Sequence, residues 1–123
     1  MKLVFSSSGK SVDDDIDARF GRCPYFLIVN IEDKKVKNVK VIENTAKAQM
    51  GGAGITAGEI IGNLGVDAVI TTNLGPRAFS VFNQLGIKVF KAQGSIKKAI
   101  EDFLSEKLDR LSDSTGPQHA GLK

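Results

Sequence analysis

Cysteine and histidine are nearly absent from this chain, since each occurs once, as Cys23 and His119. One cysteine excludes an intramolecular disulfide, and it excludes a self-contained metal site built from four cysteines or a CxxC pair. One histidine, close to the C-terminus, leaves no preassembled Ser-His-Asp or Cys-His arrangement. The composition therefore argues against disulfide-stapled domains, closed structural zinc sites and hydrolases built on these catalytic groups.

Long apolar runs are also missing. Uncharged apolar stretches such as Tyr25–Ile31 and Ala68–Thr72 are far shorter than the roughly 17 residues that a membrane helix needs. The chain starts directly with a strand-like segment, Lys2–Phe5, and shows no secretory signal. We therefore expect a cytoplasmic protein without a membrane partner.

Neither sign of charge dominates the sequence. Seventeen Lys and Arg residues against 14 Asp and Glu residues give a net charge of +3. This excess is too small and too dispersed to argue for nucleic acid binding, so we expect no nucleic acid partner. The 123 residues suffice for one globular domain with its own hydrophobic core.

The apolar periodicity predicts an initial hairpin followed by alternating helices and strands. The order β-β-β-α-β-α-β-α favours an α/β fold with a mixed five-stranded sheet and three helices. Residues 1–104 form the predicted domain, and residues 105–123 are predicted to be a poorly ordered C-terminal tail. The predicted strands are Lys2–Ser7, Tyr25–Ile31, Lys35–Ile42, Asp67–Thr72 and Ile87–Phe90, and the predicted helices follow Gly52, begin near Pro76 and are capped by Ser95.

This topology brings four loops to one edge of the sheet: residues 6–24, 43–53, 72–76 and 91–95. Ligands of open α/β sheets bind outside the carboxyl ends of the parallel strands, which form that edge. The unusual residues of the chain fall almost entirely in these loops. The sequence therefore predicts a binding site there.

The first candidate group is Arg19-Phe20-Gly21-Arg22-Cys23. A cysteine beside arginines in a polar loop is expected to have a lowered thiol pKa, and the thiolate is the form that binds metals. The alternative is that Cys23 is a small buried apolar residue. Arg19 and Arg22 are candidates for binding an anionic ligand, and the alternative for both is pairing with the aspartates of residues 13–17.

Glycine-rich segments precede the first two predicted helices. Glycine lets the backbone approach a ligand closely, and the N–H groups of a helix N-terminus attract negative charge. The spacing matches neither GxGxxG nor a P-loop, and simple helix-capping connections are the alternative. The candidate binding residues of these segments are Met50, Gly51, Gly52, Gly54, Asn73 and Gly75.

The aspartates of residues 13–17 suggest an alternative function. Paired carboxylates bind Mg²⁺ in phosphate-cleaving enzymes, so a metal-dependent phosphate hydrolase is conceivable. Such a site draws its carboxylates from several elements, and the other loops offer little beyond Glu43. We therefore expect a protein without catalytic activity.

Four segments together resemble the dinitrogenase iron-molybdenum cofactor biosynthesis family (NifX/NafY-like proteins). They are FGRCPYFLIV at 20–29, GGAGITAGEII at 51–61, GVDAVITTNLGPRAF at 65–79 and GIKVF at 86–90. The resemblance covers residues 1–104. It implies a ribonuclease H-like fold and non-catalytic binding of an iron–sulfur cluster or an iron-molybdenum cofactor precursor. It also implies cluster-assembly or acceptor proteins as partners of a monomer or homodimer.

The chain departs from the family pattern at two positions. Family members commonly have His where Arg19 stands, and often His in the segment occupied here by Gln49 and Met50. The remaining soft ligands are Cys23, Met50 and His119, and Cys23 is the predicted metal ligand. A regulatory or scaffolding domain without a cofactor is a further alternative.

Overall fold

The computed structural model describes residues 1–112, which build one mixed sheet of six strands. The order across the sheet is β3-β2-β1-β4-β5-β6. The strands are β1 (Lys2–Ser7), β2 (Tyr25–Glu32), β3 (Lys35–Glu43), β4 (Ala68–Thr71), β5 (Lys88–Lys91) and β6 (Asp109–Arg110), and the helices are α1 (Ala53–Gly62), α2 (Pro76–Gln84) and α3 (Ile96–Leu104), with a 3-10 turn at Phe20–Arg22.

The α/β class and the three helices are confirmed, but the predicted number of five strands is wrong. The sixth strand, β6, pairs antiparallel with Phe90 and Lys91, and the Leu111 N–H donates to the Val89 carbonyl at 2.8 Å. The sequence does not predict this strand, because two charged residues are too few to show strand periodicity. The strand forms because the edge of β5 offers unpaired backbone groups.

Strand β6 lies beyond residue 104, where the sequence predicts the domain to end. Residues 113–123, the remainder of the predicted tail, lie outside the described residues, and so does His119.

The hairpin between β2 and β3 has a two-residue turn. Glu32 pairs with Lys35, and the intervening Asp33 and Lys34 have positive φ angles of 55° and 60°. Positive φ at both central residues is the requirement of a type I′ turn, whose twist matches that of the strands. The predicted antiparallel hairpin is therefore confirmed.

Helices cover both faces of the sheet. On one face, α1 and α2 pack against a cluster that includes Val4, Phe26 and Val69. On the other face, α3 packs against a cluster that includes Phe5 and Leu27. Because the central strands are buried on both sides, they read as continuous apolar runs instead of alternating ones.

Helix α2 ends in a glycine-dependent cap. Gly86 has a positive φ of 72°, its N–H donates to the Asn83 carbonyl at 3.2 Å, and the Ile87 N–H donates to the Phe82 carbonyl at 2.9 Å. This pair of bonds is a Schellman motif, which satisfies carbonyls that the helix end would otherwise leave open. The chain thereby turns directly into β5.

The helices of residues 1–112 are all too short or too polar to cross a lipid bilayer.

Gly86→Ala tests the cap. A β-carbon at positive φ is strained, so we expect the free energy of unfolding to fall by about 1–2 kcal/mol in urea denaturation. Gly51→Ala is the matched control, because Gly51 is exposed and a β-carbon there meets no atom within 4 Å. Equal stabilities of the two variants would contradict this account of the turn.

Candidate functional site

The strand register places the ends of five strands at one edge of the sheet. Ser7 pairs with Tyr25, which in turn pairs with Glu43. Strands β4 and β5 run parallel to β1 and end at the same side, at Thr71 and Lys91. The predicted convergence of the four loops is therefore confirmed, and we call residues 8–24, 44–52, 72–75 and 92–95 the site edge.

Backbone and hydroxyl hydrogen bonds tie these loops to one another. The Ile16 N–H donates to the Gly94 carbonyl at 2.8 Å, which joins the first loop to the last. The Thr72 hydroxyl donates to the Ala92 carbonyl at 2.7 Å. The site edge is consequently a connected surface.

Arg22 holds the first loop against the second. Its Nη1 donates to the Lys47 carbonyl at 2.8 Å and also to the Gln49 carbonyl. The pairing with the aspartates of residues 13–17 that was considered for Arg22 does not occur, because its guanidinium is directed to these carbonyls. The residue positions the segment that carries Met50 and the glycines.

Asn44 makes the same connection from inside the protein. Its side chain is buried, with 1% of its surface exposed, and its Nδ2 donates to the Gly21 carbonyl at 3.0 Å and to the Cys23 carbonyl at 2.9 Å. Its Oδ1 accepts the Ala46 N–H at 3.1 Å. One amide side chain therefore satisfies backbone groups of two loops.

Cys23 lies in the core shared with α1 and α2 and has no exposed surface. Its Sγ donates to the Phe20 carbonyl at 3.2 Å. Burial raises the pKa of the thiol to about 12, so the lowered pKa predicted from the neighbouring arginines is wrong. The reason is that the backbone turns the thiol into the core, while Arg19 and Arg22 are exposed at the surface and bonded to other groups.

Arg19 pairs with Asp17 through two bonds. Its Nε donates to Asp17 Oδ1 at 3.2 Å and its Nη2 donates to Asp17 Oδ2 at 3.1 Å. This is the ion-pair alternative that the sequence left open for Arg19. The guanidinium is exposed and remains at the site edge.

The N-termini of α1 and α2 both lie at the site edge, and the two helices pack against each other. Gly58 of α1 lies beside Ala78 of α2, with 3.7 Å between the Ala78 Cα and the place of a β-carbon on Gly58. Neither helix has a side-chain cap, because Gly52 and Gly75 occupy the capping positions, and neither has an acidic residue in its first turn. The N–H groups of both first turns therefore have no partner within their own helix.

The glycines of these segments have different structural roles. Gly52 has a positive φ of 71°, which starts α1, whereas a β-carbon on Gly51, Gly54 or Gly75 would meet no atom within 4 Å. A β-carbon on Gly21 would lie 2.7 Å from the Gly54 backbone nitrogen. The 3-10 turn can therefore pack on the first turn of α1 only through glycine, while the opposite side of Gly54 stays open.

Met50 and Asn73 are both exposed, one in each of the two glycine-bearing loops. Met50 has 99% of its surface exposed, which is unusual for an apolar residue. Its thioether is a soft potential metal ligand at the site edge. Met50 is therefore exposed to solvent at the site edge, whereas Cys23 is buried in the core.

The aspartates of residues 13–17 do not assemble a metal site with other residues. Within residues 1–112, no group of three His, Cys, Asp or Glu side chains could hold a metal ion. Asp14 instead accepts the Ser11 N–H at 3.0 Å, and Asp17 is paired with Arg19. The described geometry gives no support to the alternative of a metal-dependent hydrolase.

Sequence reasoning missed two polar groups that shape the site edge. Asn44 lies within the predicted loop 43–53, and the sequence does not distinguish it from the other polar residues there. The buried hydroxyls of Ser6 and Thr71 lie 2.8 Å apart and join the ends of the parallel strands β1 and β4. The available signal was a hydroxyl residue at the end of each of two predicted apolar strands.

Comparison with protein families and curated sequences supports the similarity noted in the sequence. The model of a family described as dinitrogenase iron-molybdenum cofactor matches residues 1–106. The uncharacterized protein MJ0580 of Methanocaldococcus jannaschii is 49% identical over 113 residues, which cover 90% of this chain and 96% of that protein.

Solved structures share the fold. TM1290 of Thermotoga, provisionally described as a NifB protein of the DUF35 family, is 31% identical with a TM-score of 0.79, covering 94% of this chain and 97% of its own. The apo form of the orange protein from Desulfovibrio gigas has a TM-score of 0.85 over 94% of this chain and 96% of its own. At 24% identity, that second likeness shows the fold alone.

Asn44→Ala tests the connection between the loops. It removes the donor to two carbonyls, so we expect the free energy of unfolding to fall by about 1–3 kcal/mol in urea denaturation. Asn73→Ala is the control, since its side chain is exposed. A loss no larger than that of the control would show that the amide bonds are dispensable.

The raised pKa of Cys23 predicts a loss of stability at high pH. A thiol with a folded pKa of about 12, against its ordinary 9.0, stabilises the fold fully below pH 9, and this contribution is lost as the pH rises from 9 towards 12. Between pH 9 and about 11 we expect the free energy of unfolding to fall more steeply than in Cys23→Ala, by up to about 1.4 kcal/mol per pH unit. Parallel pH profiles in urea denaturation would contradict this assignment.

Proposed function

The chain belongs to the dinitrogenase iron-molybdenum cofactor family, and on this premise we propose that it is a carrier of an anionic metal cluster. The cargo is an iron–sulfur cluster or a precursor of the iron-molybdenum cofactor, and it binds at the site edge without being chemically converted. Cluster-assembly and acceptor proteins are the partners that such a carrier needs.

The observation that carries this proposal is the pair of glycine-capped helix N-termini. Each helix N-terminus is equivalent to roughly half a positive charge, and the N–H groups of its first turn have no hydrogen-bond partner within their own helix. Gly52 and Gly75 provide no side-chain oxygen to occupy these groups. Two such termini at one edge of the sheet favour a polyanion over a neutral or cationic ligand.

The open space over the glycines supports the same function. A β-carbon on Gly51, Gly54 or Gly75 would project into empty space, and glycine lets a bulky inorganic group reach the backbone there. Because the sulfides of a preformed cluster already satisfy most of its irons, few protein ligands are required. Backbone donors bind the charge of the cluster and can release it intact, as a carrier must.

Met50 is the soft side chain that this conformation offers to the cluster, because its thioether is almost fully exposed. The Cys23 thiol is separated from solvent and held protonated by burial at neutral pH. Direct ligation by Cys23, the prediction from sequence, requires the turn at Phe20–Arg22 to move away from α1. We therefore give Met50 the role of exposed soft ligand in this proposal and Cys23 a role in the core.

The topology also supports a ribonuclease H-like classification, which we propose for the fold. An antiparallel β1-β2-β3 unit followed by two parallel crossover strands is consistent with that fold, which the sequence resemblance implies.

Gly54→Asp tests the function without loss of folding. A carboxylate in the first turn favours the helix but repels an anionic cluster. After anaerobic reconstitution with iron and sulfide, we expect bound iron and acid-labile sulfide to fall at least about fivefold relative to the natural chain, with unchanged stability in urea. Gly54→Asn is the matched control, because it adds the same volume without charge and should retain most of the cluster.

Three outcomes of this experiment differ in meaning. Equal loading of Gly54→Asp and Gly54→Asn would overturn the proposed site. Loss of the cluster in folded Cys23→Ala, with loading retained in Met50→Leu, would return the ligand role to Cys23. A natural chain that binds neither iron nor a cluster donated by an assembly protein would favour the cofactor-free scaffold.

A further inference from the structure

Strand β3 is a long open edge of the sheet. It occupies one end of the strand order, it contains nine residues, and Lys35 to Lys40 are all exposed. Its outward backbone N–H and C=O groups are therefore available to another strand. The opposite end of the sheet is closed by the two-residue strand β6, which offers much less.

The β3 edge concentrates positive charge. Residues 34–40 contain four lysines and no acidic residue, which exceeds the net charge of +3 of the whole chain. In the described part of the protein, Lys37 pairs with Glu32 at 2.7 Å, whereas Lys34, Lys35 and Lys40 are exposed without an ion pair. Lysines on an edge strand oppose pairing with an identical strand, so charge favours an acidic partner over a second copy.

The strand register gives the two faces of β3 different chemistry. Lys40 pairs with Ile28, which belongs to the core cluster on the side of α1 and α2. Val39 pairs with Val29 on the α3 side. Val36 and Val39 have 45% and 38% of their surface exposed. A strand added beside β3 would therefore meet lysine on one face and valine on the other, because cross-strand neighbours share a face.

We propose that β3 docks an extended acidic segment of a partner protein, which joins the sheet as a seventh strand. Its side chains alternate between acidic residues, which lie beside Lys40, and apolar residues, which lie beside Val39. Backbone pairing supplies affinity, and the alternating side chains supply selection for the partner. This inference does not depend on the proposed function, since neither the helix N-termini nor Met50 takes part.

The position of β3 links the docked strand to the site edge. Glu43, the last residue of β3, pairs with Tyr25 at that edge, and Lys47 lies 3.8 Å from the Glu43 carboxylate. A partner strand that follows β3 therefore ends beside the loop of residues 44–52. A partner docked on β3 would therefore lie close to any ligand bound by the loop of residues 44–52.

A blocked nine-residue peptide of alternating glutamate and valine tests the proposal on the full chain without any cluster. We expect the peptide to slow hydrogen exchange of β3 amides in NMR spectra and to bind more weakly as NaCl is raised. The double variant Lys35→Glu/Lys40→Glu should weaken binding by about tenfold or more, from the loss of two ion pairs and the added repulsion. Lys97→Glu/Lys107→Glu is the charge-matched control, because both of these lysines are exposed outside the sheet edge.

Several results would overturn the proposal. If the peptide bound without slowing hydrogen exchange of the β3 amides, the binding would be a non-specific attraction between charges and not strand pairing. If the two double variants weakened peptide binding equally, the binding would not depend on the β3 lysines. If a lysine–valine peptide bound as tightly as the glutamate–valine peptide, the binding would not depend on acidic side chains. Protection of β3 that rises with protein concentration in the absence of peptide would assign the edge to a second copy of this chain.

Discussion

The packing of the turn Phe20–Arg22 against the first turn of α1 is the contact on which the candidate site depends. Gly21 permits it, because a β-carbon there would lie 2.7 Å from the Gly54 nitrogen. Phe20 anchors the turn in the core with its ring 5.5 Å from that of Phe82. Arg22 and Asn44 then bind the neighbouring loop to the same turn. Because one contact fixes both loops, the exposed backbone of α1 is presented in a defined place.

In this arrangement, the residues that stabilise the loops of the site edge differ from the residues that are accessible to a ligand. Cys23, the most reactive side chain in the sequence, is buried where it stabilises the turn, and burial raises its pKa. Gly75 and Met50 offer little chemistry individually but are exposed, and a β-carbon on Gly54 would meet no atom within 4 Å. A surface of backbone donors with one thioether is suited to holding a charged object and releasing it. The cationic edge strand β3 ends beside that surface, so the proposed cargo and the proposed partner would lie at one side of the sheet.

Much of the fold follows from local sequence. The hairpin turn at Asp33 and Lys34 and the Ser95 cap of α3, which accepts the Lys98 N–H at 3.1 Å, lie where the sequence predicts them. Both features depend on residues that are only a few positions apart, so they can be predicted from the local sequence. Strand β6 was missed because two charged residues have no periodicity, and its formation depends on the distant edge of β5. The convergence of the four loops was predictable because it follows from strand directions alone.

The sequence by itself determined the α/β class, the order of the first five strands and three helices, and the edge at which polar and glycine-rich loops gather. Only the tertiary structure decided which candidates face solvent. Cys23 and Arg22 are neighbours in the chain, yet the backbone directs one into the core and the other across to the Lys47 carbonyl. Composition near a residue therefore could not predict the pKa of that thiol. The carbonyl that Arg22 contacts and the Asn44 amide that binds the Cys23 carbonyl come from chain segments more than twenty residues away, and they are in place only once the sheet has formed.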